Sequence, residues 1–215
     1  MSTDEVREEE NKTSVGKVIL IVFCVVVMLA VAAVAFLQFR GIYDFKKLFG
    51  DKKSEIVCQL NAIEDINRLF SEYYKAMVDC DQEVLMASVT DPSIYNDMTA
   101  TMQKALLYVG YEDIDCYTVA GVNPQEYVVY VMCRLDIAGV NSKPLNINSY
   151  YVVMTDEGYK IDNGVHTVEV TDFLVEAGSS DSIEKLYQQV VDDTNNLIET
   201  DQTFADFYSE INSFY

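Results

Sequence analysis

The chain has 215 residues, half of them hydrophobic, and its 35 acids against 15 bases give a formal net charge of −20. Phosphate backbones are held by clustered Lys and Arg, so a balance this acidic sets nucleic-acid partners aside. A single histidine, with neither a CxxC nor an HExxH pairing, rules out a multi-histidine metal centre, and no metal or cofactor is expected.

Residues 1–17 are polar and acidic without apolar periodicity, and are expected to form a disordered tail. From Val18 to Leu37 the chain then runs twenty residues without a charge. A helix of that length rises ~1.5 Å per residue and spans ~30 Å, the hydrocarbon thickness of a lipid bilayer, while satisfying its own backbone hydrogen bonds. Ala33-Val34-Ala35 has the small-x-small form that signal peptidase accepts. Five acids against three bases precede the segment, however, and its apolar core is longer than that of a usual signal peptide. It is read as an uncleaved signal anchor, a transmembrane helix of a single-pass plasma-membrane protein, with Cys24 a small apolar residue within it.

The flanking charges conflict on orientation. Three bases lie before the span and five after it (Arg40, Lys46, Lys47, Lys52 and Lys53), which favours a cytoplasmic C-terminal domain. A short polar tail ahead of one span is, in contrast, the usual signal-anchor layout. Beyond residue 54, seven bases face twenty-eight acids, a net charge of −21 whose export a potential negative inside does not oppose. The C-terminal domain is expected to be extracytoplasmic, with residues 38–54 a basic linker lying on anionic headgroups.

From Glu55 the composition becomes that of a globular domain, and about 160 residues suffice for one core. Ile56, Leu60, Ile63, Phe70, Tyr73 and Met77 recur at helical spacing and predict a first helix. Asp81 is placed to cap a short helix over Gln82–Ser88. A third helix is predicted over Asp97–Val109, with Met98, Met102, Ala105, Leu106 and Val109 inward. The period then falls to two over Ile114–Val122 and Tyr127–Ile137, further strands are predicted over Leu145–Thr155 and Tyr159–Asp162, and Val165–Val170 is expected to continue or add a strand. Gly178-Ser179-Ser180 breaks the chain, and helices follow over Ser182–Ile198 and near Phe204–Ile211. Helices followed by antiparallel strands define an α+β fold.

If Cys58 and Cys80 sit at opposite ends of the first helix, ~33 Å separates them, far beyond disulfide reach. A two-residue turn at Pro124-Gln125 would set Cys116 opposite Cys133, at a spacing that permits a disulfide; buried free thiols are the alternative. His166 is read as an exposed side chain. Pairs such as Glu64-Asp65, Asp156-Glu157 and Asp192-Asp193 lack the alternating ligands of a calcium loop and read as solvated surface. Arg134 and Asp136 fall on the strand face opposite Cys133 and read as a structural ion pair or as exposed charges. Tyr73, Tyr74, Tyr150 and Tyr151 are the candidate pocket residues, with an ordinary aromatic core as the alternative. No catalytic residue is identified.

The stretch INRLFSEYYKAMVDCDQEVLMASV, a further helix, three long strands and the hairpin YYVVMTDEGYKIDN resemble the nuclear transport factor 2-like superfamily over about residues 56–163. The resemblance implies a curved antiparallel sheet wrapped around helices as a cone with an internal pocket. The cone domain is expected over 55–178, with 179–215 a C-terminal helical extension outside the family pattern. Three functions are compatible with it. The first is a membrane-anchored, non-enzymatic domain that binds a protein partner or a small apolar ligand. The second is an assembly scaffold, because a short cytoplasmic tail, one span and such a domain outside is also the layout of a bitopic type IV secretion component. The third is a pocket enzyme of the isomerase or cyclase type. The first is the expectation.

Overall fold

The computed structural model describes residues 56–213. The predicted acidic tail, the span from Val18 to Leu37 and the basic linker lie outside the described residues, among which no helix is long and apolar enough to cross a membrane. The elements run β1 (Gln59–Leu60), α1 (Glu64–Asp79), α2 (Gln82–Ala87), a 3-10 turn (Pro92–Tyr95), α3 (Thr99–Leu107), β2 (Tyr108–Ala120), β3 (Glu126–Ile137), β4 (Leu145–Thr155), β5 (Gly158–Ile161), α4 (Val168–Gly178), α5 (Asp181–Thr200) and α6 (Gln202–Ser213). The five strands form one antiparallel sheet in sequence order, so the fold is α+β.

The first helix starts later than its apolar spacing predicts. Asn61 adopts a left-handed φ of 50°, and its N–H donates to the Cys116 carbonyl at 2.8 Å while its Oδ1 accepts from the Cys116 N–H at 2.8 Å. The chain is thereby held on the sheet edge, with Gln59 opposite Thr118 and Leu60 opposite Tyr117. Ile56 and Leu60 are not helical, and Cys58 precedes the helix instead of occupying one end of it. From Glu64 the pattern holds. Glu64 and Asp65 place negative charge at the positive end of α1, and the helix stops at Cys80, left-handed at φ 53°, whose N–H donates to the Ala76 carbonyl.

Asp81 caps α2 as predicted, accepting from the Val84 N–H at 3.2 Å. Of the inward face predicted for α3, Met98 is buried and Ala105 partly so, but Met102, Leu106 and Val109 are exposed. Met98 and Thr101 are the buried residues, whereas Leu106 is 78% exposed and Met102 54%. The apolar positions of this short helix do not form one decisive stripe, so its tertiary neighbours choose the face.

β3 is the central strand of the sheet and packs on both faces. Val129 and Val131 face Ile66, Phe70 and Tyr74 of α1 and Leu85 of α2. Val128, Tyr130 and Met132 face Val170 and Ala177 of α4 and Ile183 and Leu186 of α5. A strand covered on both faces reads as a near-continuous apolar run, as VVYVMC does here. Val165–Val170 is not a strand: Thr167 Oγ1 accepts from the Val170 N–H and starts α4 at Val168. The stripe of Ile183, Leu186 and Val190 makes α5 half of the second core.

The β2–β3 hairpin closes through Ala120 opposite Tyr127 and a Gly121 N–H to Glu126 carbonyl bond of 2.7 Å, leaving the four-residue loop 122–125. A Cβ on Gly121 would lie 2.8 Å from the Glu126 carbonyl, so this close approach requires glycine. The longer loop corrects the cysteine register. Cys116 stands opposite Val131, Cys133 stands opposite Asn146 of β4, and the described cysteines are all free thiols.

Candidate functional site

The site arises from a mismatch in strand length. β5 has four residues and pairs only with the end of the eleven-residue β4, from Val152 opposite Ile161 to Thr155 opposite Gly158. Asp162 adds one more bond, its N–H to the Tyr151 carbonyl at 2.8 Å, and the chain then turns away. On the outer side of β5, residues 88–90 cover the edge through Ile161 N–H to Ser88 O (2.9 Å) and Thr90 N–H to Ile161 O (3.0 Å).

The turn after β5 is locked in place. Thr90 Oγ1 donates to Asp162 Oδ1 at 2.7 Å, and the Gly164 N–H donates to the same oxygen at 3.2 Å. Asn163 reaches back to accept from the Asp91 N–H and to donate to the Asp91 carbonyl, both at 2.8 Å. The other Asp162 oxygen lies 3.4 Å from His166 Nδ1, and the imidazole stands edge-on to Tyr151 with centroids 5.4 Å apart. His166 is therefore partly buried and paired, contrary to the exposed side chain expected of it.

Where β5 stops, a half-open cleft of about 290 Å³ forms, lined by Tyr73, Tyr95, Ser149, Tyr150, Asp162 and His166, with Ile94 at its rim and Leu174 of α4 on the far wall. The candidate tyrosines are only partly united here. Tyr73, Tyr74 and Tyr150 come together on the first face with Phe70, whose ring centroid lies 4.8 Å from that of Tyr150. Their hydroxyls pair as Tyr73 with Tyr95 and Tyr74 with Tyr150, each at 2.9 Å, and Asn148 Nδ2 donates to the Tyr74 hydroxyl at 3.3 Å. Tyr74 is thus a core residue that does not line the cleft. Tyr151 points to the second face, where its hydroxyl donates to the Glu126 carboxylate, and it borders the cleft from that side.

Burial holds the phenols of Tyr73, Tyr74 and Tyr150 above the usual tyrosine range and pushes Tyr111 up to about 12. These groups stay neutral at physiological pH, so they offer dipolar hydroxyls and ring faces, with no phenolate base. Burial also pushes the Cys116 thiol up to about 12 and Cys133 to about 11, which removes both as thiolate nucleophiles. Among the described residues no three His, Cys, Asp or Glu side chains converge as metal ligands. Arg134 and Asp136 serve the fold. Arg134 donates to the Lys143 carbonyl at 2.8 Å and lies 3.5 Å from Asp193 Oδ1, whose partner oxygen accepts from the Leu145 N–H at 2.8 Å. Asp136 pairs with Lys143 at 3.0 Å.

Ser149, Tyr95, Asp162, Asn163 and His166 were not singled out for this cleft from the sequence. The available signal was the turn-forming Asp162-Asn163-Gly164 beside the sole histidine. No family model, curated protein or solved structure matches the chain.

Proposed function

We propose that the chain is a single-pass plasma-membrane protein whose α+β domain, of nuclear transport factor 2-like type, lies outside the cytoplasm and binds a partner without catalysing a reaction. The observation that carries this reading is the cleft at the end of β5: ring faces and aliphatic side chains form its walls, and Asp162, His166 and the tyrosine hydroxyls are fixed around it by bonds to one another. Pockets of this composition orient a bound group through a few polar contacts on an apolar surface. The assembly-scaffold reading has one observation of its own, the exposed Met102 and Leu106 one turn apart on α3. No observation favours an isomerase or cyclase, because Asp136 is tied to Lys143 and does not line the cleft.

The test is site-specific photo-crosslinking of the full chain in its own membrane, with benzoylphenylalanine at Ile94 or at Leu106. The cleft reading predicts a discrete adduct from position 94 and none from 106, whereas an adduct from 106 alone would favour the scaffold. Loss of a C-terminal tag when intact cells are treated with protease is the expected topology; protection until lysis would contradict it.

A further inference from the structure

We propose that the occupant of the cleft is an extended, positively charged peptide segment that adds to the free edge of β4 at Ile147 and Ser149, along the line where β5 stops; the inference rests on the binding reading above. The register fixes which backbone groups are available. Met154, opposite Gln125, bonds inward to β3, as its N–H to Gln125 carbonyl contact of 3.2 Å shows. The odd-numbered residues of β4 consequently turn their N–H and C=O outward. Thr155 and Val153 are met there by β5, the Tyr151 carbonyl by Asp162, and the Leu145 N–H by Asp193. Between them, Ile147 and Ser149 present backbone donors and acceptors that meet no partner among the described residues.

Three further observations select the ligand. First, β4 reads LNINSYYVVMT, with no charge and no proline over its eleven residues. Free edges are ordinarily blunted by Lys, Pro or a bulge, and this one carries none of those devices. Second, the free stretch reaches the cleft at Ser149, which lines it together with Tyr73, Tyr95, His166 and Leu174. An extended chain paired with this edge would lie beside these side chains, whereas the edge of a second folded copy brings its own covering helices. Third, the free stretch ends at Asp162 on one side and Asp193 on the other, within a domain whose net charge is −21 beyond residue 54. A peptide bearing lysine or arginine is drawn to such a surface, and an acidic one is repelled. Strand addition supplies main-chain hydrogen bonds for affinity and leaves side-chain choice to the cleft.

The experiment uses the full chain, isotope-labelled in nanodiscs, titrated with an eight-residue peptide alternating lysine and valine. The expected result is a shift and slowed hydrogen exchange at the Ile147 and Ser149 amides. At least tenfold weaker binding is expected for the glutamate–valine peptide, and loss of the effect for a lysine–valine peptide N-methylated at alternate positions. Ser149→Pro removes an outward N–H without touching the β3 ladder and should abolish the effect, with protection of Val129 and Val131 unchanged. The N-methylated peptide serves the same purpose with the protein unaltered. Shifts confined to cleft side chains, with the two amides unmoved, would overturn strand addition while leaving the binding reading in place. No shift anywhere, set against a specific crosslink from Ile94, would overturn a cationic peptide as the ligand. Protection of both amides in the peptide-free protein, with a dimer on sedimentation, would assign the edge to a second copy and overturn the proposal.

Discussion

The two faces of the central sheet are covered by helices, but by different means. On the first face, α1 brings Phe70, Tyr73 and Tyr74 against Tyr150, and the phenols satisfy one another inside the packing. On the second face, aliphatic side chains from Val128 and Met132 to Ile183 and Leu186 surround two tyrosines, Tyr130 edge-on to Tyr187 and Tyr151 donating to Glu126, and Arg134 and Asp193 at the margin fasten α5 to β4. A buried hydroxyl must find a partner, so the first face is specified by direction as well as volume. On the second face Tyr151 is directed in this way to Glu126, and aliphatic shape supplies most of the remaining packing. The cleft opens between these two constructions, where the sheet runs out of strands.

The largest break in this comparison comes from removing the C-terminal helices. Deleting residues from Ser180 onward uncovers Val128, Tyr130 and Met132, and the expected outcome is loss of a cooperative urea transition. Retention of that transition would make 179–215 a dispensable extension. Next comes Phe70→Ala on the first face, expected to cost about 3–5 kcal/mol, with Ile183→Ala on the second costing about 2–5 kcal/mol; matched urea series would measure both. A large effect at Phe70 with none at Ile183 would show that only the first face holds the fold.

Both faces should lose stability at alkaline pH, because burial raises Tyr130 and Tyr151 on the second as it raises the phenols of the first. Tyr111, on the first face, ionises near 10 when unfolded, while burial in the folded state pushes it up to about 12. The folded state then holds its proton more tightly. Its contribution is complete below pH 10 and is lost as pH rises from 10 toward 12. Tyr73→Phe and Tyr74→Phe should flatten that loss by removing two phenols raised in the same direction; a pH series of unfolding curves checks this. The smallest effect is chemical. Cys58 and Cys80 are partly exposed and should alkylate in the native protein, whereas Cys116 and Cys133 should react only after unfolding, as mass spectrometry would show.

Elements with a strong period or with turns at both ends were legible in the sequence. β4 was predicted with the bounds it has, because the turn ending at Pro144 and the tight connection Asp156-Glu157-Gly158 frame the uncharged run LNINSYYVVMT. The helical stripe at Ile183, Leu186 and Val190 also holds in the fold. The positions that misled are those where a single residue takes a left-handed backbone. Asn61 at φ 50° cut the first helix short, and Gln125 at φ 63° sits in the lengthened loop that moved Cys116 off Cys133. α4 was hidden because β-branched residues at Val168, Val170 and Thr171 imitate a strand until Thr167 caps them. The cleft was the least legible feature. Residues 73, 95, 149, 162 and 166 meet only because β5 ends after four residues, which no local pattern announces.

Native-state hydrogen exchange on the full chain bears most directly on the claim that the cleft contains a free strand edge. The account predicts that the amides of Val129 and Val131 exchange slowest, and that Ile147 and Ser149 exchange as fast as surface loops although they lie within a regular strand. Protection of Ser149 equal to that of Val152 would mean that the edge is already covered, and would contradict an open binding site where β5 ends.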